Sequence, residues 1–187
     1  MQLSIPVPAL SRAGNRKMEG CLMLMKKLLA AALCLTMALC MTAAVCAEGV
    51  ESLFDGTWVQ FEDGFEIYLP SDWYEFECTE EMNAQGIFYM AGTEDMSYSC
   101  TMAWQALEED CTVEAFHAEL VTAYPGAELV EVNGIAVIVY ADLENDLLNC
   151  IALDASEPGF YMFAFSPADD EDFQNLAAAI TASIRNL

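Results

Sequence analysis

Lysine is absent from this chain after Lys27, and the only basic residue beyond that point is Arg185. Residues 48–187 hold 29 of the 30 Asp and Glu residues, so 29 negative charges face one positive charge and the net charge is −28. Such a surface cannot neutralise phosphates, because that requires clustered Lys and Arg side chains. The composition therefore excludes nucleic acid and anionic lipid as partners.

Histidine is nearly absent as well, since His117 is the only one, and no G-x-S-x-G or comparable nucleophile motif occurs. A catalytic triad needs a nucleophile and an orienting carboxylate around its histidine. His117 lies beside the apolar stripe of a predicted helix, and this position favours a histidine that is hydrogen-bonded locally. We therefore predict a protein that is not an enzyme and needs no cofactor.

The short spacing C-x-x-C is missing from residues 48–187, so neither a zinc site nor a thioredoxin-type redox site is indicated. Four of the eight cysteines lie in this part of the chain: Cys78, Cys100, Cys111 and Cys150. We expect structural disulfides among these four, and three pairings are open. Small buried thiols are the alternative.

The N-terminal part does contain an informative pattern. Lys26 and Lys27 precede an apolar run over residues 28–45, and Ala47 follows shortly after it. A basic start, an apolar centre and a small residue at the cleavage position are typical of a signal peptide. We predict a signal peptide over residues 25–47 that is cleaved after Ala47.

Cleavage there leaves residues 48–187 as one acidic domain, secreted or associated with the cell envelope and not inserted in the membrane. Residues 1–24 add nothing to the signal and indicate an over-extended N-terminus. An uncleaved anchor is one alternative, because the apolar run is long enough for a short membrane span. A lipoprotein acylated at Cys46 is another, although Val45 is unusual before such a cysteine.

Hydrophobic periodicity in residues 48–187 predicts alternating strands and two helices. The predicted strands cover residues 58–61, 65–69, 73–76, 86–90, 98–104, 127–132, 135–142, 147–154 and 160–166. A helix is predicted over residues 112–124 with Thr112 as its N-cap, and Asn133 and Gly134 form a two-residue hairpin turn. For the last helix, Ser166 is the expected N-cap and Pro167 the first helical residue.

Two helices can cover the two faces of a mainly antiparallel sheet. We therefore predict the α+β class with a helix/sheet/helix (α/β/α) sandwich.

The segment over residues 67–73, IYLPSDW, places Pro70 and Trp73 directly after a strand. This strand-Pro-x-x-Trp pattern, together with the order of elements over residues 56–187, resembles PsbP/Mog1-like domains. The resemblance implies the sandwich fold, and small secreted bacterial members of this type are commonly of unknown function. Better-known members act in photosystem assembly or bind a small GTPase. This chain has no matching set of partner-binding residues, so those roles are not carried over.

The spacing of Asp142, Glu144 and Asp146 superficially resembles a calcium loop. A calcium loop of the EF-hand type needs Gly at position six and Glu at position twelve, where this chain has Leu147 and Leu153. The pattern therefore favours a solvated turn between two strands. The densest acidic runs, residues 108–110 and 169–172, lie at predicted helix starts, where the helix dipole stabilises negative charge.

Together these observations predict an exported, non-enzymatic acidic domain that binds an unidentified protein or another component of the cell envelope or exterior. The alternative function is an extracellular module that binds divalent cations weakly, calcium above all, or is stabilised by them. Bound cations would relieve the self-repulsion of 29 carboxylates, which motivates this alternative.

Overall fold

The computed structural model describes residues 49–62, 64–107, 111–153 and 158–185, so the predicted signal peptide lies outside the described residues. The strands of these ranges are β1 (Gly56–Gln60), β2 (Glu66–Pro70), β3 (Tyr74–Phe76), β4 (Ile87–Gly92), β5 (Ser99–Ala106), β6 (Glu128–Val132), β7 (Ile135–Asp142), β8 (Leu147–Leu153) and β9 (Gly159–Ser166). The helices are α1 (Glu80–Ala84), α2 (Val113–Ala123) and α3 (Glu171–Ala182), and a 3₁₀ turn lies at Val50–Ser52.

Seven strands form one sheet in the order β3-β4-β5-β9-β8-β7-β6, and every neighbouring pair is antiparallel. The hairpin of β1 and β2 forms a separate two-stranded sheet. Asn133 and Gly134 join β6 to β7 with positive φ angles of 52° and 82°. Both angles are those of the two-residue hairpin turn that the sequence predicts, because this turn needs the left-handed region at both central positions.

One face of the large sheet carries the main aromatic core. Phe163 and Phe165 of the central strand β9 are fully buried there. The ring of Phe163 lies 6.4 Å from that of Phe65, which precedes β2, and the ring of Phe165 lies 6.3 Å from that of Phe173 in α3. The β1–β2 hairpin and α3 therefore cover this face together.

Helix α2 covers part of the opposite face. Its Phe116 lies 5.1 Å from Phe160 of β9, and Tyr124, at the end of the helix, lies 4.4 Å from Tyr140 of β7. No residue of α2 itself is fully buried, so this cover is shallower than that of α3. The predicted α+β class, with helices on both faces of an antiparallel sheet, is confirmed.

The predicted start of the last helix is wrong. Ser166 is the final residue of β9, and α3 begins at Glu171 with Asp170 as its N-cap. The residue before a proline favours extended backbone, which lets β9 continue to Ser166. The backbone N–H of Phe173 donates to Asp170 Oδ1 at 2.9 Å, as in a regular N-cap. The N-cap predicted for α2 is confirmed, because the N–H of Ala115 donates to the Thr112 hydroxyl.

The expected disulfides do not form: the structure describes all four candidate cysteines and links none of them. Cys100 of β5 and Cys150 of β8 are fully buried, and both strands pair with β9, which lies between them. Neighbouring strands are about 4.8 Å apart, so strands separated by a third lie about 10 Å apart, which exceeds the Cα separation of a disulfide. Cys78 and Cys111 lie outside the strands and are half-buried.

We expect Phe163→Ala to lower the free energy of unfolding by about 3–5 kcal/mol, because it leaves a cavity in the buried face of the central strand. Urea denaturation of a chain of residues 48–187 measures this change. Val121→Ala is the control, since Val121 is 40% exposed and its truncation is expected to cost within about 0.5 kcal/mol. Equal losses for the two variants would contradict the assignment of this face as the main core.

Candidate functional site

Arg185, the one basic residue after Lys27, lies beside β2 at the end of the described chain. Its backbone and that of Glu66 exchange two hydrogen bonds, of 3.1 and 3.2 Å. The Nε of Arg185 also donates to Glu66 Oε1 at 2.5 Å. The guanidinium carbon lies 3.5 Å from the centre of the Trp58 ring, so the cation stacks on the aromatic face.

Trp58 also contacts the start of the described chain, because its Nε1 donates to Glu51 Oε1 at 2.8 Å. A concavity of about 380 Å³ lies here, lined by Glu51, Trp58, Asn133 and Arg185 among others. The Asn133 amide group donates to the backbone carbonyl oxygens of Ala182 and Ile184 at 3.0 and 2.9 Å. The polar groups around Arg185 therefore join the first and last described segments to the β1–β2 hairpin and the β6–β7 turn.

A second concavity, of about 440 Å³, lies where β3 starts and the β4–β5 turn reverses the chain. Asp72, Tyr74, Thr93, Glu94 and Asp95 line it. The side chain of Tyr74 is 55% exposed, the highest value among the large apolar residues described. The surface therefore combines an aromatic ring with several carboxylates, and its charge favours a cationic group over an anionic one.

Hydrogen bonds within the β4–β5 turn stabilise the ionised form of Asp95. Hydrogen bonds from Ser97, and to a smaller extent one from Thr93, lower the pKa of Asp95 to about 2. The backbone N–H of Ser97 and the Thr93 hydroxyl both donate to Asp95 Oδ1, at 3.0 and 2.8 Å. The Asp95 carboxylate therefore stabilises the β4–β5 turn, in which it lies.

His117 has the local hydrogen bond that its sequence position predicts. Its Nε2 lies 3.0 Å from the carbonyl oxygen of Ala127, and because a carbonyl only accepts, Nε2 carries the proton. The bond joins α2 to the residue that precedes β6. This contact accounts for the position of the imidazole without a substrate.

The carboxylates that resemble a calcium loop stabilise turns instead. Asp142 Oδ1 accepts from the backbone N–H groups of Glu144 and Asn145, at 3.2 and 3.3 Å. Asp146 Oδ1 accepts from the N–H of Ala168 at 2.9 Å and so connects the β7–β8 turn to the segment before α3. In the described ranges, no three His, Cys, Asp or Glu side chains converge as a metal site requires.

The sequence identified Arg185 as an isolated cation but did not reveal Glu66 or Trp58 as its contacts. These residues are separated from Arg185 by more than a hundred positions, and many carboxylates and three tryptophans were available to it. Glu66 and Trp58 become the contacts of Arg185 because the fold places Arg185 beside β2. Within the described residues, no helix is long and apolar enough to cross a membrane.

Comparison with solved structures identifies the fold as PsbP-like. The structure of the cyanobacterial PsbP protein (CyanoP) from Synechocystis sp. PCC 6803 is similar with a TM-score of 0.51 and 13% identity, over 71% of this chain and 93% of that chain. A Bacteroides thetaiotaomicron VPI-5482 protein has a TM-score of 0.45 and 16% identity, over 66% of this chain and 45% of that one. No family model and no curated protein matches the sequence. The similarity to CyanoP therefore confirms the predicted PsbP-like fold and assigns no activity.

We expect Arg185→Met to lower the free energy of unfolding by about 1 kcal/mol. Exposed ion pairs contribute about 0.2–1 kcal/mol, and exposed cation–π contacts about 0.5–1 kcal/mol. The Arg185 side chain is 46% exposed, so solvent screens both contacts. Urea unfolding followed by tryptophan fluorescence measures the loss. Arg185→Lys is the matched control, because it keeps the charge but loses the planar stack, and it should lie in between. An unchanged stability of Arg185→Met would contradict this role.

We expect the Asp95 carboxyl to titrate near pH 2 in the folded chain, and Ser97→Ala to raise this pKa towards the ordinary value of 3.8. The folded-state pKa is lowered, so the contribution of Asp95 to stability is present above pH 4 and disappears as the pH falls towards 2. Carbon-13 NMR titration of the side-chain carboxyl separates Asp95 from the other acidic groups. An Asp95 midpoint near 3.8 in the unmodified chain would contradict these hydrogen bonds.

Proposed function

We propose that this chain is an exported, non-catalytic acidic domain that binds a protein or another component of the cell envelope or exterior. The observation that supports this proposal most is the position of Arg185. The only cation among residues 48–187 is already engaged by Glu66 and Trp58. The remaining charge of the domain is negative, so its surface attracts basic partners and repels polyanions.

The local contacts of the residues that most often carry chemistry agree with a binding role. His117 bonds a backbone carbonyl, and Asp142, Asp146 and Asp95 each accept hydrogen bonds from their own or neighbouring turns. These contacts position loops and helix ends. They leave the exposed carboxylates and the exposed apolar side chains as the groups that a partner would meet.

Stabilisation by cations is the second candidate, and the excess of carboxylates is the observation that motivates it. A specific calcium site should raise the unfolding temperature in millimolar calcium but not in magnesium or in salt of matched ionic strength, because calcium would bind the folded state selectively. Equal shifts in all three would show only that salt screens the acidic surface.

The absence of lysine after Lys27 allows a sharp test of the binding role. A carbodiimide activates carboxylates, which then form amides with nearby lysine amines. The processed chain offers 29 side-chain carboxylates and, apart from its α-amine, no amine of its own. Apart from that amine, every cross-link must therefore use an amine of another molecule.

We expect carbodiimide treatment of intact producing cells to join the processed chain to a discrete lysine-bearing partner of the envelope or medium. Mass spectrometry of the adduct identifies both linked peptides. An unrelated exported protein of similar size and negative charge is the control for collisions driven by charge alone. An adduct pattern identical to that of the control would contradict the proposed function.

A further inference from the structure

The large sheet ends in two edge strands that differ in length. β3 has three residues and β6 has five, and five or six is the usual strand length. β6 pairs with β7 in an unbroken register from Glu128 opposite Val139 to Val132 opposite Ile135. In the described ranges no strand pairs with the outer side of β6. That side presents backbone N–H and C=O groups with which a further strand can pair.

Proteins usually protect an exposed edge by making it very short, by a bulge, or by Pro or charged residues on it, Lys above all. Shortness protects β3. β6, with the sequence ELVEV, has no bulge, proline or lysine, and its protection consists of the negative charges of Glu128 and Glu131, which repel acidic chains but not basic ones. Leu129 of β6 is 38% exposed, and Val121 of α2, the helix that packs against β6, is 40% exposed. Apolar surface and an unpaired edge thus occur together at this end of the sheet.

The negative charges of β6 determine which kind of strand can pair with it. Glu128 is half-buried and Glu131 is exposed. Pairing with a second copy would bring glutamates of both copies together, and like charges on paired strands are destabilising. Each copy also carries a net charge of −28 over residues 48–187. A strand with Lys or Arg would place opposite charges there instead.

We propose that the β6 edge receives an extended, Lys- or Arg-bearing segment of a partner protein, which adds to the sheet as an eighth strand. Backbone hydrogen bonds provide the pairing, Leu129 and Val121 supply apolar contact, and Glu128 and Glu131 select basic sequences. This inference rests on the proposed binding function and names the surface and the chemistry of the partner.

The test uses a nine-residue peptide of repeating Lys-Lys-Val-Val with capped ends, which places both Lys and Val on each face of the strand, and a peptide of repeating Glu-Glu-Val-Val as its control. Amide hydrogen exchange of the processed chain is measured residue by residue by NMR. With the basic peptide at ten times its Kd, outward-facing amides of β6 should exchange about tenfold more slowly. The acidic peptide should leave them unchanged. No slowing at β6, or slowing spread over the acidic surface and abolished by salt, would overturn the proposal.

Matched variants test the chemistry of the edge. Glu131→Lys should weaken binding of the basic peptide and strengthen binding of the acidic one, because the charge selection is reversed. Leu129→Ser should weaken binding of the basic peptide, whereas Leu53→Ser should not, since Leu53 is 48% exposed but lies outside β6. Unchanged exchange of β7 amides in the free variants shows that the sheet is intact. Equal effects of the two serine variants would overturn the proposal.

The same variants separate this inference from the proposed function. If the partner found by cross-linking binds the Glu131→Lys and Leu129→Ser variants as tightly as the unmodified chain, the chain is a binding domain but β6 is not its binding edge. If the peptide pairs with β6 while cells yield no discrete adduct, the edge accepts basic strands but the proposed envelope function fails.

Discussion

The packing of Phe65 and Phe173 against the central strand β9 fixes the arrangement of the whole domain. Phe65 belongs to the N-terminal hairpin and Phe173 to the C-terminal helix, and both pack on one face of the sheet against buried side chains of β9. Every other strand of the sheet is placed relative to β9 by antiparallel pairing. This apolar layer must also offset the mutual repulsion of 29 carboxylates, which opposes any compact state.

Arg185 shows how the domain uses its single late cation. Stacked on Trp58 and paired with Glu66, it holds the chain end against β2, next to the buried Ser183 hydroxyl, which accepts a hydrogen bond from the backbone of Tyr68. A cation in this position stabilises the contact between the two ends of the fold. No second Lys or Arg in residues 48–187 balances the remaining acidic side chains.

In the function that we propose, the acidic surface and the β6 edge act together. There, negative charge keeps copies of the domain apart and attracts basic partners from a distance, while backbone groups of β6 provide a directional contact at short range. The PsbP-like fold is the scaffold for this surface. Fold similarity at 13% identity does not carry a function with it, so the function depends on the residues of this chain.

The sequence by itself determined the α+β class, most strand positions, the Asn133–Gly134 turn and the local bonding of His117, because each depends on periodicity, turn chemistry or nearby residues. It misplaced the start of the last helix, since Ser166 and Asp170 both suit an N-cap and only the length of β9 decides between them. Tertiary structure alone decided that Cys100 and Cys150 lie on strands separated by β9, that Arg185 meets Glu66, and that β6 ends the sheet. These outcomes depend on which distant segments pair, and with 29 similar carboxylates and several similar apolar strands, local patterns do not distinguish one pairing from another.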